Sequence, residues 1–167
     1  VTPLGDTIIV DDDGGGDYTS IQDAIDNASV GDVIVVKDGS YGDQLTVDVS
    51  VKIMAASGET PTIYVSTYDV GINVTAPDVL IEGFEIYGNG SLTGGPYPTI
   101  RASSGSDGLI INNNQFKVLT GQKGQVALLV AANVKNVTFT SNSVDNYNIG
   151  VLLRDHSKAT ISGNSFS

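Results

Sequence analysis

The sequence contains no cysteine and only one histidine among its 167 residues. Without cysteine the chain can form neither disulfides nor thiolate metal sites, and it has no cysteine nucleophile. Basic residues are scarce, because 8 Lys and Arg stand against 19 Asp and Glu, which gives a formal net charge of -11. An acidic surface repels the phosphates of nucleic acids and of anionic lipids, so we expect neither as a partner. No apolar run approaches the ~18 residues of a membrane-spanning helix, so we expect no membrane insertion of this segment.

The same composition favours one folded domain, which we place outside the cell or on its surface. Hydrophobic residues make up 40% of the chain, and the length suits a single domain. The sequence begins at Val1 without methionine or a signal-like segment, and we interpret it as a mature or excised piece. Sequons permit glycosylation of a secreted protein. They begin at Asn27, Asn73, Asn89 and Asn136.

An internal repeat organises the second half of the chain. Four copies share apolar residues at positions 1, 3 and 8, and three of them carry Asn at position 6. The copies begin at Val79, Leu109, Val137 and Ala159. A second short apolar strand recurs in step with the first. Because short strands that recur every 22 to 30 residues suit a solenoid and not a sandwich of longer strands, we predict coils that stack on one another.

Position 6 of the repeat predicts a ladder of asparagines. Asn114, Asn142 and Asn164 occupy this position in the last three copies, and Phe84 occupies it in the first. Amide side chains at equivalent turns of successive coils can bond to one another, and Asn also tolerates the left-handed backbone of tight turns. We therefore expect an asparagine ladder that Phe84 interrupts.

The first part of the chain differs and predicts a cap. The β-prone stretch from Thr7 to Val10 is followed by a Gly/Asp turn from Asp11 to Asp17. Thr19 and Gln22 form a capping box, with Thr19 as N-cap, before apolar residues that share one helical face. The helix is expected to end at Gly31. Such a helix can cover the first coil of a solenoid.

Together these patterns predict an all-β fold, a single-stranded right-handed parallel β-helix of about five to six coils with an N-terminal capping α-helix. One β-helix domain spans 1–167. The first strand and the capping helix lie in 1–32, and the coils lie in 33–167.

Three segments near the N-terminus, Asp17 to Ile25, Gly31 to Val36 and Asp38 to Tyr41, resemble the opening of pectin methylesterases and of many archaeal and bacterial surface β-helix proteins. The later coils resemble the generic repeat of carbohydrate-binding and sugar-hydrolase β-helices, the pectate-lyase-like superfamily. The resemblance implies the fold and a connection with carbohydrates. It does not imply one activity, because function depends on sites built on a fold.

The catalytic elements of pectin methylesterases are incomplete here. Those enzymes use two carboxylates, an arginine and glutamines on one exposed sheet, and Gln125 lies in a segment that resembles one glutamine-bearing element. The Gly-x-x-Asp and Asp-Phe-x-Phe-Gly elements, which hold their carboxylates, are not found. We therefore name no catalytic residue and expect a non-enzymatic module with a structural, adhesive or assembly role. The alternative is a carbohydrate-binding or a lyase-like or esterase-like protein or fragment.

Arginine, histidine and tyrosine residues form candidate ligand sites. Arg101 and Arg154 lie on predicted strand segments at outward-facing positions, and His156 follows closely. The alternative is a solvated edge at which His156 turns the chain. Tyrosines near predicted turns can stack on sugars or pack over loop bases, and we assign Tyr87 and Tyr97 to a glycan site. The tyrosines near turns are Tyr64, Tyr68, Tyr87, Tyr97 and Tyr147.

The densest acidic segment predicts a possible calcium site. Asp11, Asp13 and Asp17 offer oxygen ligands at close spacing, and the intervening glycines let backbone carbonyls turn inward. The alternative is an acidic turn whose last Asp stands before a helix N-terminus, where the helix dipole favours it.

The last repeat stops without a helix or polar cap. A bare terminal coil exposes strand edges and the end of the apolar core, so the chain is either cut from a longer β-helix or covered by another subunit. Copies could then stack head to tail. We expect the chain itself, other cell-surface proteins or glycans as partners. The expected assembly residues are Ala159, Ile161, Asn164 and Phe166.

Overall fold

The computed structural model describes residues 5–42, 44–65, 70–88, 97–119 and 124–167. Within them the chain forms eighteen short strands and one α-helix. In chain order these are β1 (Thr7–Val10), α1 (Ile21–Asp26), β2 (Val33–Val36), β3 (Ser40–Gly42), β4 (Leu45–Val47), β5 (Lys52–Ala55), β6 (Thr62–Tyr64), β7 (Ile72–Val74), β8 (Leu80–Glu82), β9 (Glu85–Tyr87), β10 (Pro98–Ala102), β11 (Ile110–Asn112), β12 (Gln115–Lys117), β13 (Gly124–Val130), β14 (Val137–Thr140), β15 (Ser143–Val144), β16 (Tyr147–Leu153), β17 (Ala159–Ser162) and β18 (Ser165–Phe166).

The strands of the described residues form three parallel sheets. Sheet A has the order β1-β2-β5-β8-β11-β14-β17, sheet B has β3-β6-β9-β12-β15-β18, and sheet C has β4-β7-β10-β13-β16. Neighbouring strands of a sheet come from successive coils, about six in all. The all-β solenoid with one N-terminal helix is thereby confirmed, and its right-handed winding stays a prediction.

Equivalent apolar residues of successive coils stand in columns. Ile53, Ile81, Ile111, Phe139 and Ile161 form one such column of sheet A. The first four are at most 2% exposed, whereas Ile161 in the last coil is 43% exposed. Burying a side chain of this size contributes about 1.5–3 kcal/mol relative to leaving it in water, so the stacking of coils supplies the core.

The predicted asparagine ladder is confirmed. Asn142 Oδ1 accepts from the backbone N–H of Asn114 at 2.9 Å, and Asn164 Oδ1 accepts from the N–H of Asn142 at 2.8 Å. Asn142 Nδ2 donates to the carbonyl oxygen of Ile111 at 3.0 Å, which ties it to the preceding coil. Phe84 lacks an amide side chain, but its N–H donates to Asn114 Oδ1 at 3.0 Å. The ladder therefore loses a side chain at Phe84 and still bonds to its backbone.

The left-handed backbone lies one residue before the ladder position. Its φ angle is +54° at Asn113, +57° at Ser141, +65° at Gly163 and +91° at Gly83. The left-handed conformation that we associated with the ladder asparagines therefore belongs to their predecessors. The predecessor turns the chain, and the asparagine then points its amide toward the neighbouring coil.

The capping helix begins one residue later than predicted. Its N-cap is Ser20, whose Oγ accepts from the N–H of Asp23 at 3.3 Å, so the assignment of Thr19 as N-cap is wrong. The helix ends at Asp26, earlier than expected, and its buried residues are Ile21, Ala24 and Ile25. No helix of the described residues is long and apolar enough to cross a membrane.

Polar side chains cover the strand edges at the N-terminal end of the solenoid. Gln22 bonds to strand β4 and does not complete a capping box. Its Oε1 accepts from the N–H of Thr46 at 2.8 Å, and its Nε2 donates to the Thr46 carbonyl at 3.2 Å. Asp17 Oδ2 accepts from the N–H of Ile9 in β1 at 2.8 Å. Asp12 Oδ2 accepts from the first N–H of β3 at 2.9 Å. All three sheets thus have bonded edges here, which protects them from pairing with another strand.

Candidate functional site

Sheet B presents aligned side chains to solvent. Gly42, Tyr64, Tyr87 and Lys117 stand at matching positions of β3, β6, β9 and β12. Neighbours in such a column are about 4.8 Å apart, because this is the spacing between strands of a sheet. We call these four residues the tyrosine column.

One aromatic face of the tyrosine column is left uncovered by the part of the chain that the structure describes. The rings of Tyr64 and Tyr87 stack with centroids 5.1 Å apart and planes inclined by 16°. Tyr64 is 42% exposed. On the other side of Tyr64 the column continues with Gly42, and a Cβ placed there would meet no atom of the described residues within 4 Å. No described residue therefore covers the second face of the Tyr64 ring, which can receive a flat ligand such as the C–H face of a sugar ring.

An ion pair continues the site along the solenoid axis. Lys117 Nζ lies 2.5 Å from Glu85 Oε2, and the two side chains are 36% and 20% exposed. Burial raises the pKa of Glu85, but the hydrogen bonds from Lys117 and Tyr87 outweigh it and hold the pKa below its ordinary value. The hydrogen bond to Glu85 raises the pKa of Lys117 and that of Tyr87. Both members of the pair are therefore charged at neutral pH.

A polar groove of about 380 Å³ lies at the corner between sheets A and B. It forms because six residues, 56–61, separate β5 from β6, whereas two residues separate β8 from β9. The longer segment stands out beside the tight turns of the later coils. We call this space the corner groove. The residues that line it include Ser57, Glu59, Thr60, Glu82, Gln115 and Ser143.

A second outward column connects the tyrosine column with the corner groove. Thr62 pairs with Glu85, Glu85 with Gln115, and Gln115 with Ser143. Gln115 and Ser143 also line the groove. The surface thus combines one open aromatic face with hydroxyl, amide and carboxylate groups, the combination that a polyhydroxylated ligand requires.

The predicted sugar-stacking tyrosines separate into different environments. Tyr87 belongs to the tyrosine column, but its ring is covered on one side by Tyr64. Tyr97 is half-buried immediately before β10. Tyr68 lies outside the described residues. The open ring is that of Tyr64, which sequence reasoning placed near a turn without assigning it to the site.

Tyr147 is a packing residue. Its hydroxyl lies 2.9 Å from Thr99 Oγ1 and donates to the Lys117 carbonyl at 3.2 Å. Burial raises its pKa to about 12. A Cβ at Gly88 would lie 2.0 Å from its hydroxyl, and one at Gly124 would lie 2.4 Å from its ring. These contacts agree with the alternative that tyrosines pack over the bases of loops.

The two predicted ligand arginines lie two coils apart. Arg101 lies on β10 and points outward from sheet C, in register with Leu129 and, one coil further, Leu152. Arg154 follows the end of β16, so its placement on a strand is wrong. Its carbonyl accepts from the N–H of Ser157 at 3.0 Å, and His156 has a φ of +60°. His156 therefore turns the chain at an exposed edge.

The acidic segment is only partly assembled as predicted. Oxygen atoms of Asp11, Asp12 and Asp13 lie within 4.8 Å of one another, whereas Asp17 bonds to β1 instead. Asp11 Oδ2 pairs with Lys37 at 2.9 Å, and that hydrogen bond lowers the pKa of Asp11. Asp11 and Asp12 are thus both engaged within the fold, Asp11 by Lys37 and Asp12 by the first N–H of β3. Calcium binding by Asp11, Asp13 and Asp17 stays a prediction.

The sequons occupy different positions. Asn27 is exposed at the end of α1, and its Nδ2 donates to the Asp23 carbonyl at 2.8 Å. Asn73 lies on β7, where its Oδ1 accepts from Ser103 Oγ at 2.7 Å. Asn136 is exposed with a φ of +59°. Asn89 lies outside the described residues.

The expected assembly residues lie in the last coil. Ile161 and Phe166 are 43% and 52% exposed. Ala159 is half-buried and packs against the core. Asn164 belongs to the ladder, and its Nδ2 donates to the Phe139 carbonyl at 2.8 Å.

No family model, no curated protein and no solved structure matches the chain. The tyrosine column and the corner groove are therefore the features from which we infer a function.

Proposed function

We propose that the chain is a non-enzymatic β-solenoid module, outside the cell or on its surface, that binds glycans through the tyrosine column. The observation that carries this proposal is the open face of the Tyr64 ring above Gly42. The resemblance to pectin methylesterases, pectate-lyase-like proteins and surface β-helix proteins supports it, because many of these proteins act on or bind carbohydrates.

The size of the site suggests weak binding. An aromatic contact contributes about 0.5–1.5 kcal/mol beyond the area that it buries, and each hydrogen bond adds about 1 kcal/mol net. One ring and a few hydrogen bonds therefore correspond to about 4 kcal/mol, a dissociation constant near ~1 mM for a short oligosaccharide. Adhesion to a polymer would come from many such contacts at once.

The test is titration of neutral oligosaccharides, followed by NMR. Tyr64→Ser and Gly42→Val should each abolish binding, the first by removing the ring and the second by filling the space beside it. Tyr64→Phe should bind as the natural chain does. Ser162→Val, on the outer face of sheet A, is the control for an added surface side chain. Binding that persists unchanged in Tyr64→Ser and Gly42→Val contradicts the proposal.

The non-enzymatic part has a separate test. The natural chain is incubated with polygalacturonate, its methyl ester pectin and neutral glycans, and released products are measured. We expect none. Turnover that is lost in Arg101→Ala or Arg154→Ala would overturn this part and favour a carbohydrate-active enzyme.

A second proposed function is assembly through the last coil. Ile161 and Phe166 are largely exposed, although their equivalents one coil earlier, Phe139 and Val144, are at most 2% exposed. Asn164 offers the next position of the ladder. Such a face is suited to contact with another β-solenoid coil, since it combines apolar surface with open strand edges.

We propose a second copy as the occupant of this face, with the two copies related by a two-fold axis. The N-terminal edges already bond to Asp12, Asp17 and Gln22, which disfavours the head-to-tail stacking considered from the sequence. Pairing of two last coils closes after two copies.

Light scattering over a range of concentrations tests this second proposal. The natural chain and the control Ser162→Asp should form dimers, and Phe166→Asp should stay monomeric because it places a charge in the contact. A natural chain that remains monomeric at high concentration contradicts assembly. Oligomers that grow beyond two copies contradict the two-fold arrangement.

A further inference from the structure

The charges around the proposed glycan site are mainly negative. Among the described residues that line the corner groove, the charged ones are Glu59 and Glu82. Beside the groove, Glu85 of the second outward column and Lys117 of the tyrosine column form an ion pair at 2.5 Å, so their charges compensate each other. Asp145, the residue that follows β15, is exposed and adds a further negative charge. A negatively charged ligand would therefore meet repulsion at this surface.

Glu82 differs from the other carboxylates of this surface in having no side-chain partner. Glu59 accepts a hydrogen bond from the N–H of Asp38 at 2.5 Å, and Glu85 is bonded to Lys117. The Glu82 side chain has neither a hydrogen bond nor an ion pair within the part of the chain that the structure describes. Glu82 is the last residue of β8. It is half-buried and lines the corner groove. A partly desolvated carboxylate without a partner favours a cationic group beside it.

We infer that the glycan recognised by this site carries free amino groups, with a sugar ring on Tyr64 and an ammonium group at Glu82. This inference rests on the proposed glycan binding and specifies its ligand class. Five residue steps separate Glu82 from Tyr87, and Tyr64 lies one strand beyond Tyr87. Glu82 and Tyr64 are therefore at most about 22 Å apart, a span that a short oligosaccharide can bridge. Uronic acid polymers, the ligands of pectin-active proteins, carry the opposite charge and are disfavoured.

The experiment compares three oligosaccharides of equal length, in a mildly acidic buffer that keeps amines charged and carboxylates ionised. The probes are a glucosamine oligomer, its N-acetylated neutral form and a galacturonate oligomer. At low salt we expect the glucosamine oligomer to bind about tenfold more tightly than the neutral one, and the galacturonate oligomer to bind most weakly. At about 1 M salt the three affinities should converge, because exposed charges are then screened.

Variants separate a specific contact from the general attraction of a cation to an acidic protein. Glu82→Gln should lower the preference for the glucosamine oligomer over the neutral one about threefold to tenfold. Asp155→Asn changes the net charge equally but lies in the exposed turn after β16, so it should keep the preference.

The possible failures are distinguishable. If no probe binds in a manner that depends on Tyr64, the proposed glycan binding itself fails. If the neutral probe depends on Tyr64 but the galacturonate oligomer binds as tightly as the glucosamine oligomer, only the inference about charge is overturned. A preference that survives Glu82→Gln, or that Asp155→Asn reduces equally, also overturns the assignment of the ammonium group to Glu82.

Discussion

Replacing Asn142 with alanine should destabilise the solenoid strongly, because Asn142 lies in the middle of the asparagine ladder. The residue is 2% exposed. Its Oδ1 accepts from the N–H of Asn114, and its Nδ2 donates to the carbonyl of Ile111. Alanine removes both bonds, and its methyl group cannot replace them. Only water could then bond to the groups that Asn142 served.

The magnitude follows from the groups that lose their partners. The buried Asn114 N–H would be left unpaired, which costs about 1–3 kcal/mol, and the Ile111 carbonyl would lose one of its bonds, which costs about 1 kcal/mol. We therefore expect Asn142→Ala to lower the free energy of unfolding by about 3 kcal/mol. Asn164→Ala is the matched control, since Asn164 makes the equivalent bonds in a half-buried position where water can replace them. Its loss should be about 1 kcal/mol.

The assay is urea denaturation followed by circular dichroism, with amide hydrogen exchange of Asn114 as a local probe. Exchange should accelerate at Asn114 in Asn142→Ala and stay slow in Asn164→Ala. Since coils at the end of a solenoid can unfold separately, the denaturation of each variant is also checked for a single transition. Equal losses of stability in the two variants, or a loss below about 1 kcal/mol in Asn142→Ala, would refute the role of the ladder.

Three further predictions concern the packing and charge of sheets B and C. Tyr147→Phe should lower the free energy of unfolding by about 1–2 kcal/mol in urea, because Thr99, 1% exposed, loses its hydroxyl partner; an unchanged midpoint contradicts this. Gly124→Ala should cost about 1–3 kcal/mol, since its Cβ would lie 2.4 Å from the Tyr147 ring; a more stable variant contradicts the contact. Glu85 has a pKa lowered below 4.5, so its pairing with Lys117 stabilises the fold above pH 4.5 and is lost as pH falls through the lowered value. Thermal unfolding should show that loss, at most about 1 kcal/mol, and Lys117→Met should remove it; equal acid sensitivity of both proteins contradicts it.

The coils after residue 79 could be predicted from the sequence because one simple property marks each inward position. An apolar residue recurs at the position of Ile81, Ile111 and Phe139, and a strand shifted by one residue would expose it. The ladder was predictable for the same reason, since Asn114 and Asn142 repeat at one offset. Burial requires an apolar residue at the inward position of each coil, and the ladder requires an asparagine at its own position. Each requirement repeats in every coil, so both patterns are visible along the sequence.

The cap was predictable in kind but not in detail. The sequence around Thr19 and Gln22 satisfies a local capping motif, and that motif takes no account of residues far away. The Gln22 amide instead bonds both backbone groups of Thr46, which leaves Ser20 to cap the helix. An exposed strand edge needs both a donor and an acceptor, and a glutamine amide supplies both. The helix therefore begins where its tertiary contact with β4 requires.

The proposed site was not predictable because it depends on which residues of different coils become neighbours. Gly42 is informative only beside Tyr64, and that pairing joins β3 to β6 in the coils that precede the visible repeat. The corner groove likewise exists because the segment between β5 and β6 is longer than its equivalents, a difference that interrupts the period from which register is inferred. Irregular coil length thus both conceals the alignment in the sequence and creates the surface irregularity that a ligand could occupy. Sequence searches for binding sites in solenoids should therefore begin where the repeat fails.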